Sequence, residues 1–298
     1  MTMDIKAYLR EKRIIVDRAL KDIFPEPEGY TAEIVAAMDY SLFAGGKRVR
    51  PILCMAAAEA VGGVENDVLP LACALELIHT YSLIHDDLPV MDDDELRRGK
   101  PTSHKVFGEA LALLAGDGLL TESFRLMARM DLKPGLEPSS LLRAIALVAE
   151  AAGYQGMVGG QVLDIQWEGQ NIDTSLVGLI HRHKTGALIA ASATAGAVMG
   201  GGNEEEIQKI EEYGGKVGLA FQIADDILDI EGDTKTLGKT AGVDEKRKKN
   251  TYPAAIGIEP SKSMARQLIE EAVNALASFR AEANPLKYLA GYIIERKR

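Results

Sequence analysis

The stretch Asp86-Asp87-Leu88-Pro89-Val90-Met91-Asp92 closes an apolar segment, residues 67–86, whose three-and-four spacing reads as a helix interior. Ionised carboxylates are costly in such a setting, so each must take up a proton, pair with a base or bind a metal. A second acidic set, Asp225-Asp226-Ile227-Leu228-Asp229, lies inside another helical segment, residues 204–230, and neither set contains a Lys or Arg. The economical reading is a cavity that holds several divalent cations between facing helices, in an enzyme that acts on phosphorylated substrates.

Around these acids the pattern is helix upon helix. Residues 5–23, 31–43, 51–61, 109–130, 139–166, 173–199, 253–258 and 261–282 all carry helical apolar spacing, with PEPEG, AGGK and VGG among the breaks. No run alternates apolar and polar residues as a half-buried strand would. The expected fold is therefore all-α, a bundle of about ten helices, and the absence of a fixed repeat argues against a solenoid. No linker or composition shift divides the chain, so residues 1–298 read as a single domain.

A chain that is 47% hydrophobic and 26% charged is of the soluble globular class, with ample material for a large core. The 34 Lys and Arg against 44 Asp and Glu give a net charge of -10, which excludes general nucleic-acid binding and leaves phosphate binding to local basic residues. Cys54 and Cys73 lack zinc-site spacing and read as reduced core thiols. The N-terminal MTMDIKAYLREKRIIVDRAL has no uninterrupted apolar run, and residues 187–202, rich in Ala, Ser and Gly, are too short and too weakly hydrophobic for a membrane span. A cytoplasmic protein without stable membrane insertion is expected.

Spacing assigns partners to the acids. Asp225 and Asp229 are four residues apart and share a helix face, with Phe221 and Gln222 one turn earlier; taken alone, this motif is equally a helix end running into solvent. Asp86 and Asp92 are six apart, and Pro89 is expected to force a bulge in the helix that lets Asp92 rejoin the same face. Just beyond, Arg97 and Arg98 sit in a turn closed by Gly99 and Pro101. They offer forked donors to phosphate, or alternatively pair with Asp93, Asp94 and Glu95. GGKRVRP sets Lys47, Arg48 and Arg50 between a glycine pair and the helix opened by Pro51, a candidate anion site. HRHKTGA places Lys184 and Thr185 in a helical segment that Gly186 can kink, and Lys239 and Lys249 lie in the loop after the second acidic set, able to close over diphosphate.

In order and spacing, GGKRVRP, LIHDDLPVMDDDELRRGKPTSH, GQVLDI, HKTGAL, FQIADDILD and GDTKTLGKTAGVDEKRKKNTYP resemble the motifs of the trans-isoprenyl diphosphate synthases. The likeness is strongest to the bacterial-type farnesyl diphosphate synthases and covers nearly the whole chain. It implies core helices around a deep central cavity, a homodimer, and about three bound magnesium ions, with manganese as an alternative. It further implies that Asp86, Asp92 and Asp225 ligate metal directly while Asp87, Asp226 and Asp229 support it. Arg97, Lys184 and Lys239 would contact the allylic diphosphate. Lys47, Arg50, His79 and Arg98 would hold the diphosphate of isopentenyl diphosphate, with Lys249 in the same substrate-binding set. Thr185 and Gln222 would stabilise a developing carbocation, and Asp164 would orient cavity groups. Arg48 receives no role.

The chemistry so implied breaks an allylic carbon–oxygen bond of dimethylallyl or geranyl diphosphate. Metal, Arg and Lys stabilise the departing charge, the isopentenyl double bond attacks, and a proton leaves to the released diphosphate. In this family a bulky aromatic five residues before the first Asp, here Tyr81 beside Ser82, together with the spacing of residues 88–91, points to farnesyl diphosphate as product. A geranylgeranyl diphosphate synthase is the alternative. A catalytically silent family subunit is disfavoured because all six acids are present, and a terpene cyclase because Lys47, Arg50 and Arg98 imply a second diphosphate site.

Overall fold

Apolar residues at three-and-four spacing become helix along most of the described residues. A computed structural model describes residues 3–24, 26, 28–170, 172–231 and 249–295. Helices α1 (Ile5–Lys21), α2 (Ala32–Leu42), α3 (Val49–Ala60) and α4 (Glu65–Asp86) come first, followed after a short ribbon by α5 (Ser103–Phe107) and α6 (Glu109–Ala128). The rest of the described residues form α7 (Pro138–Ala152), α8 (Met157–Gln166), α9 (Thr174–His181), α10 (Ala187–Gly200) and α11 (Glu204–Glu231), then α12 (Tyr252–Ile256), α13 (Ile258–Ala275) and α14 (Asn284–Glu295). The ribbon pairs β1 (Leu96–Arg97) with β2 (Lys100–Pro101), Leu96 opposite Pro101 and Arg97 opposite Lys100. Its turn residues, Arg98 and Gly99, have φ of 54° and 77°, the left-handed pair that suits a tight hairpin.

Three expectations need correction. The segment 139–166 is two helices, because the chain turns between Gly153 and Gly156. The segment 173–199 contains a π-helical turn, Arg182–Gly186, between α9 and α10. The segment 261–282 stops at Ala275, and α14 follows it, with Leu286, Leu289, Ala290 and Ile293 buried at helical spacing.

The chain falls into two compact units. One contains Met1–Tyr8, Leu53–Val68 and Leu132–Arg298, the other Leu9–Ile52 and Leu69–Asp131. No linker marks the division because three of the four passages between units occur inside α1, α3 and α4.

In the first unit α10 packs against α7 and α11, and α11 against α13. Every residue from Ala191 to Gly200 is buried. The small side chains admit close backbone approach: a Cβ on Gly196 would stand 2.2 Å from the Cys54 carbonyl oxygen. The apolar surface of this segment is spent inside the fold. Two other stretches, Glu65–Asp86 and Pro138–Gln166, are long and apolar enough to cross a membrane by length and composition. The first is 67% buried over its apolar window, as a core helix is, and the second is broken between α7 and α8.

In the second unit α2 and α5 pack on α6, and Arg48 is the buried tie. It is 2% exposed with φ of 54°. Its guanidinium donates to Glu76 Oε1 at 2.7 Å, Asp17 Oδ1 at 2.8 Å and the Leu42 carbonyl at 2.8 Å, joining α1, α2 and α4. Burial pulls its pKa down, but Glu76 and Asp17 more than offset this and hold the charge in place. Removing one member of such a pair strands the other in low dielectric. Glu76→Leu is therefore expected to lower unfolding free energy by about 3 to 5 kcal/mol. Urea titration checks this, and a loss below about 1 kcal/mol, the scale of a surface pair, would refute the anchoring role.

Candidate active site

Helix α4 ends at Asp86 and does not resume, so the expected bulge within a continuous helix is replaced by a turn. Pro89 has no N–H to extend the ladder. Instead the Asp92 N–H donates to the Asp86 carbonyl at 2.8 Å and the Asp93 N–H to the Leu88 carbonyl at 3.1 Å. This closure brings Asp92 back beside Asp86, both partly exposed, which is what the six-residue spacing required by another route.

Asp87 points elsewhere. It is 4% exposed and accepts from Arg97, whose Nε lies 3.0 Å from Oδ1 and whose Nη2 also bonds it. Arg97 Nη2 reaches Asp94 as well, at 3.2 Å. Burial raises the Asp87 pKa, with Arg97 pulling against it and Asp94 and Asp92 adding to the rise. Arg98 turns to the other basic segment and donates to the Gly45 carbonyl. Gly46, at φ of 130°, leaves the room: a Cβ there would sit 2.7 Å from the Arg98 guanidinium. Arg50 is buried, Lys47 partly so, and Pro51 occupies the first turn of α3, where its missing N–H costs little. His79, on α4, lies in the field of Arg50, Arg98, Arg97 and Arg48. Burial first and these charges second push its pKa well below the ordinary histidine value, so its imidazole is neutral. On the same helix Ser82 donates to the His79 carbonyl at 2.9 Å, and Tyr81 is 7% exposed with its pKa pushed up to about 12 by burial and the Asp86 charge.

The other unit carries the second acidic set on α11. Asp225 is partly exposed, while Asp226 and Asp229 are each 2% exposed. Asp226 is satisfied by protein donors: His181 Nε2 at 2.8 Å, the Tyr252 N–H at 3.0 Å and Gln222 Nε2 at 3.1 Å. Because a carboxylate only accepts, the Gln222 amide nitrogen must face Asp226, and its carbonyl oxygen faces Thr185. The Thr185 hydroxyl donates to that oxygen at 2.9 Å, so its own lone pairs remain to face a ligand. Thr185 and Lys184 both sit in the π turn, where the widened helix re-aims side chains. Lys184 Nζ lies 2.5 Å from Asp164 Oδ2 on α8, and α8 comes this close because a Cβ on Gly160 would stand 2.1 Å from the Lys184 nitrogen. Lys249 is partly buried, next to Asn250, which donates to the Trp167 carbonyl at 2.6 Å. Lys239 lies outside the described residues.

Asp87 and Asp226 are thus oriented toward protein partners. Asp92 closes back on Asp86, and Asp225 and Asp229 stand one turn apart on α11, Asp229 in a buried position, so each pair offers hard oxygen donors. Among the described residues no group of three His, Cys, Asp or Glu is clustered as a metal cage. Magnesium takes one or two carboxylates and fills its octahedron with water and substrate phosphate, so a carboxylate pair is a donor set it could use. Sequence reasoning passed over Glu76, His181 and Tyr252. Glu76 carried the same signal as the acidic sets, an acid inside an apolar helix, whereas the Tyr252 contribution is a backbone N–H and has no signature in residue type.

A family model described as Polyprenyl synthetase matches residues 31–286. The chain is 48% identical over 302 residues to the heterodimeric geranylgeranyl pyrophosphate synthase large subunit 1, chloroplastic, of Arabidopsis thaliana, covering 99% of this chain and 80% of that one. It is 45% identical over 294 residues to the farnesyl diphosphate synthase of Geobacillus stearothermophilus, covering 99% and 98%. The solved geranyltransferase of Helicobacter pylori, complexed with magnesium and isoprenyl diphosphate, is similar with a TM-score of 0.87 at 31% identity, over 99% of each chain.

Since Asp226 gathers α9, α11 and α12, Asp226→Ala is expected to cost about 3 kcal/mol of stability through the stranded donors. Asp226→Asn keeps one acceptor oxygen and is expected to cost about half as much. Thermal melts of the two variants beside the parent protein decide the point, and equal melting of all three would refute it.

Proposed function

The chain belongs to the polyprenyl synthetase family, as a prenyltransferase of the trans-isoprenyl diphosphate synthase type, and from that premise we propose its particular reaction. It condenses dimethylallyl or geranyl diphosphate head-to-tail with isopentenyl diphosphate, with release of diphosphate and farnesyl diphosphate as main product. The observation that carries this reading is the occurrence, within one unit, of the Asp86–Asp92 carboxylate pair with the cationic group of Lys47, Arg50, Arg98 and neutral His79. An acid pair suited to a metal-bound diphosphate and a separate cationic group suited to a bare one are what two diphosphate substrates require.

When bound, magnesium would neutralise the charge that builds on the departing diphosphate. Asp86 with Asp92 in one unit, and Asp225 with Asp229 in the other, are the residues that would hold it, and the magnesium in the Helicobacter pylori relative supports that choice of metal. Asp87 fixes Arg97, and Asp164 holds Lys184, so that both cations are pre-oriented for phosphate oxygens. Thr185, with its proton committed to Gln222, presents only lone pairs to a ligand, the polarity that favours an allylic cation over water as a donor. His79, among its neighbouring arginines, would add a ring N–H donor for a diphosphate oxygen. The protein is proposed to act as a cytoplasmic homodimer.

Product length is the finer part of the proposal. Relatives named for farnesyl and for geranylgeranyl products match this chain comparably. The bulky, buried Tyr81, beside Ser82 and five residues before Asp86 on α4, favours the shorter product. Incubation with magnesium, dimethylallyl diphosphate and isopentenyl diphosphate, then phosphatase treatment and sizing of the alcohols, is expected to yield farnesol, with chelation by EDTA abolishing elongation and added magnesium restoring it. Geranylgeraniol as main product would move the assignment to the longer synthase, and no elongation would refute the reaction. Tyr81→Ala is expected to lengthen the product in the same assay, and an unaltered length would place the stopper elsewhere.

A further inference from the structure

The last turn of α4 carries a histidine that neither the acid pair nor the cationic group uses. His85 crosses to α6, where its Nε2 lies 3.0 Å from the Leu113 carbonyl oxygen. A carbonyl only accepts, so Nε2 bears the proton. That carbonyl is the natural partner of the Asp117 N–H within α6, and His85 uses its second lone pair; the Asp117 carboxylate stands 3.9 Å away. The ring fits only because residue 116 has no side chain. A Cβ on Gly116 would lie 2.1 Å from Nε2 and 2.4 Å from Cδ2, well inside contact distance. Glycine is otherwise a poor choice in the middle of a helix, so this notch is built for the imidazole.

The other side of the same imidazole meets Tyr81, one turn earlier on α4. The ring centroids are 5.6 Å apart and the planes cross at 76°, an edge-to-face contact. His85 is thus held to one helix by the Leu113 bond, seated by the absence of a Cβ at Gly116, and pressed against the ring of Tyr81. An aromatic side chain on a helix otherwise has more than one staggered χ1 well open to it. A neighbour fixed to a second helix removes that freedom.

We propose that His85 and Gly116 are specificity-determining positioning residues, the first buttressing the Tyr81 ring and the second providing the seat that holds the buttress. The proposal rests on the reading of Tyr81 as the stop for the growing prenyl chain. It extends product control from α4 to α6, through a residue that need not touch the substrate.

The test is the ratio of longer to shorter prenyl alcohols, a quantity that a general loss of stability or turnover does not move. His85→Ala is expected to raise that ratio by about 2- to 10-fold, the factor an edge-to-face ring contact is worth. Gly116→Ala, which evicts the imidazole, is expected to shift it in the same direction. In a Tyr81→Ala background, His85→Ala is expected to add nothing, since the ring it supports is gone. Tyr81→Ala that lengthens the product while His85→Ala does not would overturn the buttress and leave the stopper standing. An equal shift from His85→Ala with and without Tyr81 would overturn action through Tyr81. Abolished turnover in His85→Ala would assign the histidine to Asp86 instead and equally overturn the proposal. An unchanged product from Tyr81→Ala would overturn the stopper reading itself, and the proposal with it. A melt of the Gly116→Ala and His85→Ala double variant checks the seat: it is expected to be more stable than Gly116→Ala alone, and a less stable double variant would refute the steric account.

Discussion

An ionised carboxylate among packed helices needs donors within hydrogen-bond reach, because the low-dielectric surroundings do not solvate it as water does. Much of this protein is arranged to meet that demand. Glu76 is met by Arg48, which also draws in Asp17 and a helix-terminal carbonyl. Asp87 is met by Arg97, and Asp226 by a histidine, an amide and a backbone N–H. In each case at least one donor comes from another part of the chain, so satisfying the charge also fixes how those parts pack.

The same demand separates two kinds of acid within one motif. Adjacent residues on a helix point about 100° apart, so Asp225 and Asp226 cannot serve the same partner. Asp226 is turned into the protein and is spoken for, while Asp225 keeps some exposure. Asp86 and Asp87 divide in the same way, the second facing Arg97. The motif therefore combines partly exposed acids with buried ones, and the buried ones hold an arginine and an amide in place.

Much of the fold was legible because helical periodicity and Gly or Pro breaks are local signals. They located α2, α4, α6 and α11 closely, and they failed where the deciding contact was remote. The interruption between α7 and α8 lies in a segment whose apolar spacing continues through it, and α14 was lost beyond the end of α13. The π turn at Arg182–Gly186 was anticipated only as a kink at Gly186, since its widening depends on packing against α8 and α11. Pro89 was recognised as the reason Asp92 returns to Asp86, but a proline can end a helix as readily as bulge it, and residues 87–93 settle into a hydrogen-bonded turn.

The sequence by itself determined the helical class, the two acidic sets and the basic segments, because these depend on residue type and on spacing within a turn or two of helix. Tertiary structure alone decided that Arg48 is an anchor and not an anion ligand, that Asp226 is a hub, that Thr185 gives its proton to Gln222, and that Gly116 makes room for His85. Those outcomes turn on distances of a few ångströms between residues far apart in the chain. No local pattern encodes them, since the same Arg, Asp or Gly would read identically in another packing.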